Sequence, residues 1–124
     1  MTTGIEKDFH PGDTVCREGD SGEYIYILKK GSLGVYKNDN LVSQYNVPGT
    51  ILGEMSIILG ESRSASIKAI TVSTVSVIRL SLMDMVTNFP SFTVKILRTL
   101  AERLKDTTEE LSLSVVDHHP DDDF

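Results

Sequence analysis

Glu54 and Arg63 stand nine positions apart in GEMSIILGESRSASIKA, residues Gly53 to Ala69, among Met55, Ile57, Ile58, Leu59, Ala65 and Ile67. Opposite charges in such apolar company are unfavourable by several kcal/mol each unless they pair with one another or engage a ligand. Gly53 and Gly60 bracket EMSIIL, long enough for one or two helical turns, and SRSAS puts small residues on both sides of the arginine. Small residues let backbone approach a ligand, the start of a short helix offers unpaired N–H groups, and a guanidinium presents a planar fork of donors. Together they suit a phosphate oxyanion. Glu54 would repel a phosphate set against it, but it fits as acceptor for a sugar hydroxyl on the same ligand, as acidic residues serve ribose in dinucleotide sites. One anion and one diol-like group imply a nucleotide, while an internal Glu54–Arg63 pair stays open as the structural alternative.

The elements that must carry this stretch are short strands. From Glu6 to Leu80, turn signals recur at PGD (Pro11–Asp13), EGDSGE (Glu18–Glu23), KKGS (Lys29–Ser32), NDN (Asn38–Asn40) and VPGT (Val47–Thr50). Between them lie runs such as EYIYILKK, SLGVYKN and STVSVIRL, rich in Tyr, Ile and Val. That spacing predicts an antiparallel sandwich or barrel of half-buried strands.

After Leu80 the pattern becomes helical. Ser81 is a good N-cap and Pro90 a stop, predicting a short helix over about Leu82–Thr87. From Ser91 the apolar positions Val94, Leu97, Leu100, Ala101 and Leu104 make one helical face, which Leu111 extends to roughly Leu113. Packing on the chain's own strands and a helix–helix dimer seam both fit this stripe, since no strict heptad is held long enough for a coiled coil.

GEMSIILGESRSAS matches without a gap the phosphate-binding cassette G-E-[apolar]-[small]-…-R-[small]-A, and the chain thereby resembles the cyclic nucleotide-binding domains. The likeness is nearest to the sensor domain of cyclic-AMP receptor protein type bacterial regulators. It runs from about Phe9 to Leu111 and includes PGDTVCREGD, YILKKGSLGVY and VPGTILGEMS. The resemblance implies a mainly β fold, an eight-stranded antiparallel jelly-roll (double-stranded β-helix) barrel with a short cassette helix and a long C-terminal helix. It implies that Glu54 accepts from the ribose 2′-hydroxyl, that Arg63 holds the cyclic phosphate, that Gly53 allows close backbone approach and that Ser64 bonds the phosphate or the base. Met55, Ser56 and Ala65 complete the expected ligand-binding set in the cassette. Ser62 departs from the proline that many members carry before the arginine.

In those regulators two adjacent hydroxyl residues of the long helix meet the adenine amino group, one from each subunit. Thr107 and Thr108 match them in kind and in spacing from Pro90; two threonines on an exposed helix surface is the other reading. The ligand implied is cyclic AMP, with cyclic GMP as second candidate, and no cofactor. The partners implied are a second copy of the chain, through the C-terminal helix, and a downstream protein of unknown identity. Residues 1–113 are expected to form the binding domain, with strands over about 5–80 and helices over about 82–113; residues 114–124 are expected to be an acidic disordered tail. A helix-turn-helix follows the long helix in the transcription regulators, whereas here only DHHPDDDF closes the sequence. The expectation is therefore no direct DNA binding, and no kinase, cyclase or channel segment.

Composition bounds the other classes. The 124 residues suit one domain with a real core, and 40% hydrophobic with 24% charged residues is ordinary globular usage. The net charge of −6 is uneven: residues 1–105 hold all 12 Lys/Arg and 11 of the 18 Asp/Glu, and residues 106–124 hold the remaining 7 acids. Neither part has the clustered cations of a nucleic-acid binder. No signal segment opens the chain and no stretch approaches the roughly 20 apolar residues of a membrane span, so a cytoplasmic location is expected. Cys16, the only cysteine, excludes an intrachain disulfide and a four-cysteine metal site, and reads as a small packed hydrophobe. A metal-dependent enzyme of the barrel type would need clustered imidazoles, yet the histidines are His10 in a turn and the adjacent His118 and His119. There is no G-x-S-x-G elbow and no P-loop. No catalytic or metal-binding residue is expected. The rival to a nucleotide sensor is a dimerisation or docking module of the same fold that has ceased to bind, against which the retention of both Glu54 and Arg63 speaks.

Overall fold

The computed structural model describes residues 4–114, with side chains to residue 108. The chain divides into two compact units between Asp84 and Met85. The first contains eight strands: β1 Ile5–Phe9, β2 Thr14–Cys16, β3 Tyr24–Lys30, β4 Leu33–Lys37, β5 Asn40–Tyr45, β6 Ile51–Leu52, β7 Ser66–Ala69 and β8 Ser73–Arg79. The helix α1, Glu54–Leu59, lies between β6 and β7. The helix α2, Leu82–Asn88, follows β8 across the division, and α3, Pro90–Ser114, completes the second unit.

The strands form two four-stranded antiparallel sheets, in the orders β1-β8-β3-β6 and β2-β7-β4-β5. This is the jelly-roll arrangement with C-terminal helices. The eight strands make two sheets rather than one closed ring of hydrogen bonds. Alternation along the strands builds the core: Tyr26 and Leu28 from β3, Leu33 from β4, Ile67 and Ala69 from β7 and Val75 from β8 join Cys16 and Leu52. Leu28, Leu33 and Val75 are fully buried, each contributing roughly 1.5–3 kcal/mol of transfer free energy. The β4–β5 hairpin turns through Asn38 and Asp39, both at positive φ (51° and 65°), with Lys37 paired to Asn40. That mirror-image turn follows the twist of its strands.

What positions the cassette is the step from β6 to β7. β6 is an edge strand of the first sheet, paired with Tyr26 and Ile27, whereas β7 lies inside the second sheet between β2 and β4. Residues 53–65 therefore cross from one sheet to the other.

Ser81 caps α2 as its position suggests. Its Oγ accepts from the Asp84 N–H at 3.1 Å, and Asp84 Oδ2 accepts from the Ser81 N–H at 3.1 Å. The Ser81 backbone N–H first, and its hydroxyl second, hold the Asp84 carboxyl below its usual range. Because the folded value lies below the unfolded one, the cap's contribution is present above the ordinary carboxylate range and is lost as pH falls through the lowered value. In a carbon-13 titration of the Asp84 carboxyl, Ser81→Ala keeps the backbone N–H and is expected to move the midpoint upward only by the hydroxyl's share; an unmoved midpoint would show that the Ser81 hydroxyl takes no part in holding the carboxyl.

The helix after Ser81 runs to Asn88, one residue beyond the sequence expectation, and Pro90 is the first residue of α3 rather than a spacer before it. Proline suits that place because the first turn needs no N–H from it. Thr93 Oγ1 lies 2.6 Å from Met85 O and 2.8 Å from Phe89 O, tying the start of α3 to the end of α2. The predicted stripe is largely uncovered: Val94, Leu97 and Leu104 are more than half exposed, while Ile96, off the stripe, is buried. The side chain of Leu111, the acidic tail from residue 115 and His118 and His119 lie outside the described residues. Among the described residues no helix is long and apolar enough to cross a membrane.

Candidate functional site

Gly53 follows β6 directly and sits in the left-handed region at φ 88°. A Cβ there would lie 2.7 Å from Arg63 Nη1, 3.0 Å from Tyr24 O and 3.1 Å from a Tyr26 ring carbon. Glycine is required on both counts, conformation and space. α1 then turns Glu54 and Ile57 inward and leaves Met55 and Leu59 exposed. Gly60, at φ 68°, ends the helix with its N–H on Ser56 O, and the Glu61 N–H bonds the same carbonyl at 3.0 Å. This is a Schellman-like stop.

The loop that follows is pinned against residues 17–20. Arg63 N–H donates to Asp20 O at 2.7 Å, and Arg63 O accepts from Gly19 N–H at 2.8 Å. The Glu18 N–H donates to Ser66 Oγ at 2.9 Å. Two backbone bonds thus fix the Cα of Arg63 and send its side chain inward, where the residue is only 5% exposed.

The guanidinium is held on three sides. Nη1 donates to Gly53 O at 2.7 Å and to Ser56 Oγ at 2.6 Å, and Nη2 donates to Tyr24 O. Its central carbon lies 5.2 Å from the centroid of the Tyr26 ring, within cation–π range. Nε is buried and has no hydrogen-bond acceptor among the described residues. Ser56 Oγ also donates to Gly53 O at 3.2 Å, so one hydroxyl serves both the carbonyl and the cation. Glu54 is buried to the same 5% exposure in the first turn of α1.

The charge is felt by its neighbours. Burial pushes the Cys16 thiol above its usual range, with the nearby Arg63 opposing the shift. Burial likewise pushes the Tyr26 phenol up, again against Arg63. Both stay protonated at neutral pH, and Cys16 packs as a small hydrophobe.

Of the residues singled out in the sequence, Gly53, Glu54, Ser56 and Arg63 come together in the cassette. Met55 points to solvent, Ser64 is exposed and Ala65 is half-buried. Thr107 and Thr108 lie on α3 in the second unit, their hydroxyls donating to Arg103 O at 3.0 Å and Leu104 O at 2.9 Å. Sequence reasoning missed Tyr24, Tyr26 and Gly22, while Cys16 packs as the small hydrophobe it was read as. Tyr26 carried a signal, as an inward position of its strand; the Tyr24 carbonyl carried none. Gly22 packs so closely on the cassette that a Cβ would lie 2.4 Å from Ser56 Oγ.

A cavity of about 750 Å³ borders the cassette, lined by Gly22, Ser56, Ile57, Gly60, Glu61 and Ser62 together with Ser21, Glu23, Arg79, Leu80, Ser81, Leu82 and Asp84. Another of about 320 Å³ is lined by Val15, Cys16, Asp20, Ser21, Tyr24 and Tyr26. Neither is lined by Glu54 or Arg63; both charges are shielded in this arrangement. No group of three or more metal-ligating side chains occurs among the described residues.

A family model for the cyclic nucleotide-binding domain matches residues 6–87. The chain is 37% identical over 91 residues to the cyclic nucleotide-gated channel alpha-2 of Bos taurus, a match covering 66% of this chain and 14% of the channel. The chain thus spans a small part of the length of that relative. Among solved structures, the Thermus thermophilus catabolite activator protein superposes with a TM-score of 0.74 at 21% identity, over 89% of this chain and 54% of that one. That likeness is one of fold. A mutant regulatory subunit of a cAMP-independent protein kinase A from Trypanosoma brucei, bound to cAMP in its A site, gives a TM-score of 0.58 at 26% identity, over 62% of this chain and 30% of that one.

Proposed function

The chain belongs to the cyclic nucleotide-binding domain family, and from that premise we propose that it is a sensor module that takes a cyclic nucleotide in the cassette and passes the signal to a partner or to a second copy of itself. The observation that carries this is Arg63: a buried cation, fixed by its backbone, whose Nε has no acceptor among the described residues. A buried unsatisfied donor on a charged group is unfavourable by about 1–3 kcal/mol or more, and an oxyanion relieves it.

In this function Arg63 takes the cyclic phosphate and Glu54 the ribose 2′-hydroxyl. Ser64 bonds phosphate or base, and Gly53, Met55, Ser56 and Ala65 shape the wall around them. Thr107 and Thr108 of α3 contact the base. The exposed Val94, Leu97 and Leu104 supply the seam of a homodimer. Cyclic AMP is the proposed ligand, as in the mutant trypanosome subunit, with cyclic GMP second. The module binds and does not catalyse. A docking module without nucleotide has one observation in its favour: three of the guanidinium's hydrogen bonds are made inside the protein.

Thermal unfolding with cyclic AMP, cyclic GMP and linear AMP tests the proposal. Ligand at 100 times its dissociation constant is expected to add about 2.7 kcal/mol, which for a domain of this size raises Tm by roughly 10 °C. A rise with a cyclic nucleotide and none with linear AMP supports the sensor; no rise with any of the three leaves the docking module.

A further inference from the structure

In the arrangement described, the cation that a cyclic phosphate needs is closed to it. Arg63 is 5% exposed and three acceptors hold its two terminal nitrogens, so no phosphate oxygen can come within hydrogen-bonding distance until something moves. Two of those acceptors, Gly53 O and Tyr24 O, are backbone and present whatever the side chains are. The third, Ser56 Oγ, is the one that side-chain chemistry sets.

We propose that Ser56 is a positioning residue that acts through Arg63: its hydroxyl latches the guanidinium in the closed arrangement and so opposes entry of the nucleotide phosphate. The role rests on the cassette being a cyclic nucleotide site. Two bonds distinguish Ser56 from a passive lining residue. It accepts from Nη1 at 2.6 Å while donating to Gly53 O at 3.2 Å, so the hydroxyl proton is committed to the carbonyl and a lone pair to the cation. Gly22 packs on it from the neighbouring loop, where an added Cβ would lie 2.4 Å from Ser56 Oγ. Its two bonds orient the hydroxyl for the latch.

The latch acts only in the free state. Apparent affinity falls with the fraction of molecules that are competent to bind, while escape from the bound state is unaffected. A phosphate is the stronger partner for a guanidinium than a hydroxyl and two carbonyls, so exchange proceeds once the latch opens. Alanine at position 56 keeps both backbone acceptors, removes the hydroxyl, and is a better helix former than serine, so α1 persists.

The experiment is stopped-flow binding of cyclic AMP and of cyclic GMP to the wild-type chain and to Ser56→Ala. The association rate constant is expected to rise about tenfold in the variant and the dissociation rate constant to stay within about twofold, equivalent to about 1.4 kcal/mol of latch. Hydrogen exchange at the Arg63 guanidinium, followed by NMR without ligand, is expected to be faster in Ser56→Ala. A residue that merely supported the fold would change dissociation instead. If both proteins bind with the same rate constants, or the variant binds more weakly, the latch is overturned while nucleotide binding stands. If neither protein binds either nucleotide, the sensor function falls and the latch with it.

Discussion

Arg63→Ala is expected to raise the dissociation constant for cyclic AMP by a hundredfold or more. Charge-assisted hydrogen bonds are worth about 1.5–3 kcal/mol each, and losing two of them from a phosphate exceeds the roughly 2.7 kcal/mol that two decades of affinity require. The substitution also touches the fold, because the Tyr24 carbonyl loses the donor at Nη2 and the Tyr26 ring loses the cation beside it. Binding should therefore be measured by calorimetry well below the variant's own Tm, so that weak binding is not confused with unfolding. Arg63→Lys gives the complementary result: charge remains but the planar fork is gone, and affinity is expected to fall between wild type and the alanine variant. Affinity within threefold of wild type in Arg63→Ala would remove this residue from phosphate recognition.

The other large effect is at Gly53. Gly53→Ala places a methyl group 2.7 Å from Arg63 Nη1 and 3.0 Å from the Tyr24 carbonyl, at a φ of 88° that a side chain rarely tolerates. The left-handed conformation is unfavourable by roughly 1 kcal/mol, and overpacking adds about 1–3 kcal/mol. A loss of about 2–4 kcal/mol, or roughly 7–15 °C in Tm, is expected. The backbone and crowding parts can be separated with Gly49→Ala, where φ is 92° but nothing lies within 4 Å of the added carbon. That variant should lose only the backbone part, about 1 kcal/mol. Equal losses at the two sites would mean that the close approach of Arg63 to Gly53 does not persist in solution.

How legible these features were in the sequence follows from where their causes lie. Gly53, Gly60, Glu54 and Arg63 sit within eleven residues of one another, so spacing alone placed a helix between two glycines and a pair of charges at its margins. The short strands and the long helix followed from local periodicity in the same way, whereas the number of strands was what the family resemblance implied. The acceptor at Tyr24 lies 39 positions before Arg63. It is brought close because Tyr26 pairs with Leu52, a register that no local pattern contains. A carbonyl also has no residue type to betray it. On α3, periodicity revealed an apolar face without revealing what covers it, and Ile96 is the residue that became buried instead. The departure at Ser62, visible in the sequence, lies in an exposed stretch of the loop whose path is set by Arg63's backbone bonds to Gly19 and Asp20.

The crossing of residues 53–65 from an edge strand of one sheet to an inner strand of the other has a consequence for the order in which the molecule assembles. Loop-closure entropy must be overcome before such distant contacts form, and the cassette is complete only when both sheets are in register. Its contacts then belong to the native state more than to the folding transition state. Nucleotide bound there would lengthen the lifetime of the native protein by slowing unfolding, leaving the folding rate almost unchanged, and the unfolding arm of a chevron would be the one to move.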